Sequence, residues 1–90
     1  MNILDPKQAV SDLEGWTGGD DFITKVFKFK DFAEAFGFMS QIAIVAESMN
    51  HHPEWYNIYN RVDVTLTTHD VSGVTEKDVI LARRMNSAAG

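Results

Sequence analysis

The chain is expected to fold as an α+β domain, a four-stranded antiparallel sheet with three helices packed on one face. Three observations carry that expectation. Capping residues followed by apolar positions at helical spacing occur at Asp5, Asp31 and Thr75. Between them lie four stretches rich in β-branched and aromatic residues. The order is helix, strand, strand, helix, strand, strand, helix, and the short links within each strand pair make the pairs antiparallel. The 90 residues, 1–90, make a single domain, because two cores in so short a chain would each be too small to be stable.

The first helix starts at Asp5-Pro6-Lys7-Gln8, with a capping acid and proline at the first helical position. Ala9, Val10 and Leu13 form its apolar stripe, and Gly15 stops it. Trp16-Thr17 and Phe22 to Lys30 are two extended pieces joined by the turn Gly18-Gly19-Asp20-Asp21. Lys25 breaks the alternation of the second piece, which predicts a partly wet face. Asp31-Phe32-Ala33-Glu34 opens the longest helix. Two apolar rows run along it: Phe32, Phe36, Met39, Ala43 and Ala46, and beside them Ala35, Phe38, Ile42, Val45 and Met49. One row is expected to cover the sheet; the other is core or meets a neighbouring subunit. Gly37 costs about 1 kcal/mol relative to alanine in mid-helix, and a close backbone approach is the expected compensation.

Trp55 to Asn60 and Arg61 to Thr68 are the third and fourth strands, with the position of the turn between them left open. Val62, Val64 and Leu66 fall on one face of the fourth strand, Asp63, Thr65 and Thr67 on the other. Thr75-Glu76-Lys77-Asp78 is a capping box with Val74 and Val79 as its hydrophobic staple. The last helix points Ala82 and Met85 inward and is expected to fray from Asn86 to Gly90.

Composition excludes several functions. The chain has no cysteine, so it has no disulfide, thiolate nucleophile or thiolate metal site. A net charge of -5 argues against nucleic-acid binding, which needs a basic patch. No apolar run is long enough for a membrane span, and Met1 to Pro6 lacks the basic and apolar pattern of a signal peptide. The expected location is cytoplasmic. So small a domain buries roughly 60–65% of its unfolded surface, and self-association is a common source of added stability.

All three histidines lie in two segments, Glu47-Ser48-Met49-Asn50-His51-His52-Pro53-Glu54-Trp55 and Thr67-Thr68-His69. Pro53 forces His52 into extended backbone. If the third and fourth strands form a hairpin, His69 returns beside the His51-His52-Pro53 loop. Three readings follow. The histidines cap polar groups in loops; they bind zinc; or they share general acid/base work near neutral pH. The absence of a helical His-x-x-x-His pairing argues against zinc. The residues alone leave the first and third readings open.

Glu47-x-x-Asn50-His51-His52-Pro53-Glu54-Trp55-x-Asn57-x-Tyr59-Asn60, then Val64-x-Leu66-x-Thr68-His69 and Thr75-x-x-Asp78, closely resembles the pterin-4a-carbinolamine dehydratase family. Gly15-Trp16, Phe27-x-Phe29-x-Asp31-Phe32 and Ala35-Phe36-x-Phe38-Met39 extend the resemblance over nearly the whole chain. It implies the same fold and a reaction that removes water from 4a-hydroxytetrahydropterin to give quinonoid dihydropterin, recycling the cofactor of aromatic amino acid hydroxylases. It implies no metal and no redox cofactor. By resemblance His51 and His69 are the acid/base pair on opposite sides of the pterin, and His52 binds and orients it. Glu47, Asn50, Pro53, Trp55, Thr67, Thr68, Asp70 and Asp78 match substrate-binding positions. Glu47 orients an imidazole or holds the pterin, Trp55 walls the pocket or packs in the core, and Asp78 is also the third residue of a capping box. Asn50 replaces the acid common in animal members. The small core and the second apolar row of the longest helix lead us to expect a homodimer or homotetramer. The resemblance also opens an alternative, a protein-interaction module, because animal members serve as the dimerisation cofactor of a homeodomain transcription activator. The row Phe38, Ile42, Val45 and Met49 is the expected contact surface for either kind of partner.

Overall fold

The computed structural model describes residues 1–90. Its elements are α1 (Pro6–Ala9), β1 (Thr17–Gly18), β2 (Ile23–Lys28), α2 (Phe32–Met49), β3 (Glu54–Ile58), β4 (Arg61–Leu66) and α3 (Glu76–Ala89), with a 3₁₀ turn at His69–Val71. The sheet runs β1-β2-β4-β3 and each neighbouring pair is antiparallel. This is the α+β architecture the residue pattern predicts. No helix is long and apolar enough to cross a membrane.

β4 sets the faces of the sheet. Val62, Val64 and Leu66 are buried, while Asp63, Thr65 and Thr67 lie half-buried on the opposite face. Residues directly opposed in antiparallel strands share a face. Ile23, Lys25 and Phe27 of β2 therefore join the helix-covered side, as do Trp55 and Asn57 of β3. That placement explains the irregularity at Lys25. Its stem runs over the core face, its Nζ lies 4.6 Å from the centre of the Phe27 ring, and it donates to the Glu14 carbonyl at 3.0 Å and Asn86 Oδ1 at 2.8 Å. Burial pushes the Lys25 ammonium below its usual range, and the charge of Glu14 offsets part of that.

The β3–β4 turn is Tyr59-Asn60. Ile58 pairs with Arg61, Tyr59 takes a left-handed φ of 50°, and the Asn57 amide donates to the carbonyls of Tyr59 and Arg61. This register sets Glu54 opposite Thr65 and brings the start of β3 to the end of β4.

In α2, Asp31 accepts the Glu34 N–H at 2.9 Å, and Glu34 reaches back to Lys30 N rather than to the cap residue. Ala35, Phe38, Ile42 and Ala46 are buried, with Val45 and Met49 packed beside them. The row expected to meet a partner thus covers this chain's own sheet. The exposed large apolar residues of α2 are Phe32, Phe36 and Ile44. No close approach explains Gly37: a Cβ there would meet nothing within 4 Å.

Two ends differ from expectation. α1 is a single capped turn, and beyond Ala9 the chain continues through isolated turns to Gly15, whose φ is 84°. α3 does not fray at Asn86 but runs to Ala89. Asn86 is the reason: its oxygen accepts from Trp16 Nε1 at 3.0 Å and from Lys25, and its amide donates to the Glu14 carbonyl at 3.1 Å.

Candidate active site

The three histidines come together at one end of the sheet. α2 ends at Met49, and Asn50 takes the left-handed conformation (φ 51°), which asparagine tolerates better than most residues. The next N–H, on His51, reaches back to the Ala46 carbonyl at 3.0 Å and closes the helix end. This turn aims His51 inward and leaves His52 outside, just before Pro53. Asn50 is therefore a conformational choice for the helix end as well as a residue of the cavity wall.

From the other side, Thr68 closes a tight loop with Gly73: Thr68 N–H to Gly73 O is 2.8 Å and the return bond is 3.3 Å. Within it Ser72 takes φ 54° and donates back to the His69 carbonyl at 3.2 Å. The loop holds His69 and Asp70 over the start of β3.

Between these two loops is a cavity of about 300 Å³. Asn50, His51, His52, Pro53 and Glu54 form one wall; Thr67, Thr68, His69, Asp70 and Lys77 form the other. A second hollow of about 280 Å³ opens from it along the uncovered sheet face and shares Glu54, Thr67 and His69.

Each imidazole is paired with its own carboxylate. His51 Nε2 lies 2.6 Å from Asp78 Oδ1, His52 Nε2 lies 2.8 Å from Glu47 Oε1, and His69 Nε2 lies 2.9 Å from Glu54 Oε2. The first pair is buried, His51 being 8% exposed and Asp78 0%, whereas the other two are exposed. Asp78 Oδ2 also accepts from Thr68 Oγ1 at 2.8 Å and from Thr75 N–H at 2.9 Å. Asp78 thus has three polar partners, His51 on Oδ1 and Thr68 and Thr75 on Oδ2. No group of three or more His, Cys, Asp or Glu side chains assembles as a metal site.

Of the residues singled out in the sequence, His51, His52, His69, Asn50, Pro53, Thr67, Thr68 and Asp70 all line the cavity. Three do not. Glu47 stands outside and holds His52; Asp78 lies behind His51; Trp55 packs against the core on the helix-covered side. The Thr67 hydroxyl donates to the Asp21 carbonyl at 2.7 Å, tying the β1–β2 turn to the cavity rim. Glu54 and Lys77 were missed as site residues. Alternation within β3 and the hairpin would have put Glu54 beside His69; the capping box would have put Lys77 at the helix end facing His51.

Fold and site define an α+β domain with a histidine-lined cavity at one end of an antiparallel sheet. Residues 4–88 match the family described as pterin 4 alpha carbinolamine dehydratase, and the chain belongs to that family. Proteins of Brucella ovis and Brucella suis that carry a provisional pterin-4-alpha-carbinolamine dehydratase assignment are 58% identical to it over 85 residues, which span 92% of this chain and 88% of each relative. The crystal structure of a transcriptional coactivator/pterin dehydratase from Brucella melitensis matches with a TM-score of 0.90 and 58% identity, over 92% of this chain and 90% of that one. A pterin dehydratase-like protein identified as a RuBisCO assembly factor in the alpha-carboxysome shares the fold, with a TM-score of 0.69 at 24% identity, over 83% of this chain and 87% of that one.

Proposed function

We propose that the protein removes water from a 4a-hydroxytetrahydropterin to give the quinonoid dihydropterin, by acid/base catalysis from its histidines. The observation that carries this reading is the set of imidazoles around one cavity, each with a carboxylate at its Nε2. The reaction requires N5 to lose a proton while the 4a-hydroxyl gains one and leaves as water, with the C4a–O bond breaking and the N5=C4a bond forming. His51 suits the first transfer. Its Nε2–H is committed to Asp78, so in the neutral ring the lone pair is on Nδ1, available as a base. His69, across the cavity on a separate loop, in its protonated form delivers the second proton to the hydroxyl. Each transfer contributes about 10²–10⁴ in rate. His52, steered by Glu47, binds and orients the ring, and Asn50, Thr67, Asp70 and Lys77 supply polar contacts at its edges. The family match and the similarity to the Brucella protein support the choice of pterin as substrate.

The test is substitution of His51 and of His69 singly by alanine, with folding confirmed by circular dichroism and quinonoid product followed by absorbance. Turnover falls at least about 10²-fold in each variant. Folded variants with wild-type turnover would refute the assigned roles.

A further inference from the structure

The protons behind His51 can be placed by counting donors. Asp78, as a carboxylate, carries none, so Thr68 Oγ1 at 2.8 Å must donate to it. Thr68 has a single hydroxyl hydrogen. In its 2.8 Å contact with Thr75 Oγ1 it therefore accepts, and Thr75 donates. Thr75 Oγ1 in turn accepts the Lys77 N–H at 3.3 Å. At the other carboxylate oxygen His51 Nε2 must donate. Every donor points the same way, from the first turn of α3 through two hydroxyls to Asp78, which meets the imidazole proton from the far side. Thr68, Thr75 and Asp78 are all buried, so bulk water does not compete for these bonds.

We propose that Thr68 and Thr75 are positioning residues: their hydroxyl chain holds Asp78 in the one orientation that keeps the proton of His51 on Nε2 and leaves the lone pair on Nδ1. Thr68 lines the cavity, but its hydroxyl hydrogen is spent on Asp78, so it acts through His51 rather than by donating to a ligand. The catalytic consequence rests on the reading of His51 as the base; the proton arrangement does not.

The test combines heteronuclear NMR of the histidine nitrogens with kinetics. Wild-type protein at alkaline pH shows His51 protonated at Nε2 and unprotonated at Nδ1. In Thr68→Val, which keeps the shape and removes the hydroxyl, the two nitrogen signals move toward each other as tautomers mix. Its kcat falls about tenfold, the worth of one such bond, with KM little changed. Thr68→Ser restores both. A wild-type His51 protonated at Nδ1 overturns the proposal without any variant. So does a Thr68→Val protein whose KM rises while kcat and nitrogen signals keep their wild-type values, since that is how a direct substrate contact behaves. A protein with the predicted tautomer but no dehydration of any pterin carbinolamine sinks the pterin reading and supports the proton arrangement.

Discussion

Replacing Asp78 by asparagine separates its two duties. Its carboxylate is fully buried and accepts from His51 Nε2 at 2.6 Å, Thr68 Oγ1 at 2.8 Å and Thr75 N–H at 2.9 Å. Alanine would strand all three donors at about 1–3 kcal/mol each, and would remove part of the α3 cap at about 1 kcal/mol more. Against a total stability of about 5–15 kcal/mol such a variant is close to unfolding and reports little about the site. Asparagine keeps an oxygen for Thr68 and Thr75. Its amide hydrogens, however, meet the Nε2–H of His51 donor to donor. The imidazole relieves that clash by moving its proton to Nδ1, which replaces the lone pair there that the proposed base step needs. Asp78→Asn is therefore expected to lose about 1.5–3 kcal/mol of stability, the worth of a charge-assisted bond. Its kcat/KM falls by about 10²–10⁴, the range between loss of one general base and a wrong tautomer in a histidine–aspartate pair. Urea unfolding gives the first number and quinonoid product formation the second. A folded Asp78→Asn protein within threefold of wild-type kcat/KM, threefold being roughly 0.7 kcal/mol, would show that the orientation of His51 does not matter to turnover.

Gly37→Ala is expected to stabilise the protein by about 0.5–1 kcal/mol, because the helix interior gains propensity and the added Cβ meets open space; an unchanged or lower urea midpoint would contradict this. Lys25 gives a pH signature. Its native pKa is lowered by burial from the ordinary 10.5, so the unfolded chain binds more protons between the two values and stability from this group rises as pH climbs through that window. Unfolding midpoints measured on the alkaline side of neutrality should show the rise in wild type and lose it in Lys25→Met; an identical slope in both would refute the assignment.

Much of the fold was legible because its signals are local. The Thr75–Asp78 box and the alternation of Val62, Val64 and Leu66 each depend on residues within one turn or one strand. What escaped depends on distant partners. Asn86 looks like the start of a frayed end until Lys25, 61 positions away in the chain, and Trp16, 70 away, are seen to bond to it. The two apolar rows of α2 posed a different difficulty. Phe32 and Phe36 are as apolar as Phe38 and Ile42, and helical spacing measures the angle between rows without telling which faces the sheet. Gly37 misled for a related reason: a missing side chain looks the same whether a backbone fills the space or nothing does.

The gathering of the three histidines around one cavity was legible in the sequence and their carboxylate partners less so, since pairing needs register. Glu54 meets His69 because the two-residue turn at Tyr59-Asn60 sets it opposite Thr65, and an offset of one residue would turn it to the helix-covered face. Asp78 had two competing readings in the sequence, helix cap or site acid, and the structure joins them on separate oxygens: Oδ2 takes the cap N–H of Thr75 and Oδ1 takes His51. A helix end ordinarily opens more easily than the rest of a domain. Here opening the first turn of α3 would release His51, and the buried pair resists that opening in return. The stability of this helix end and the placement of the imidazole are thus coupled, because one residue at the third position of a capping box bonds both the cap and a histidine of a cavity it never touches.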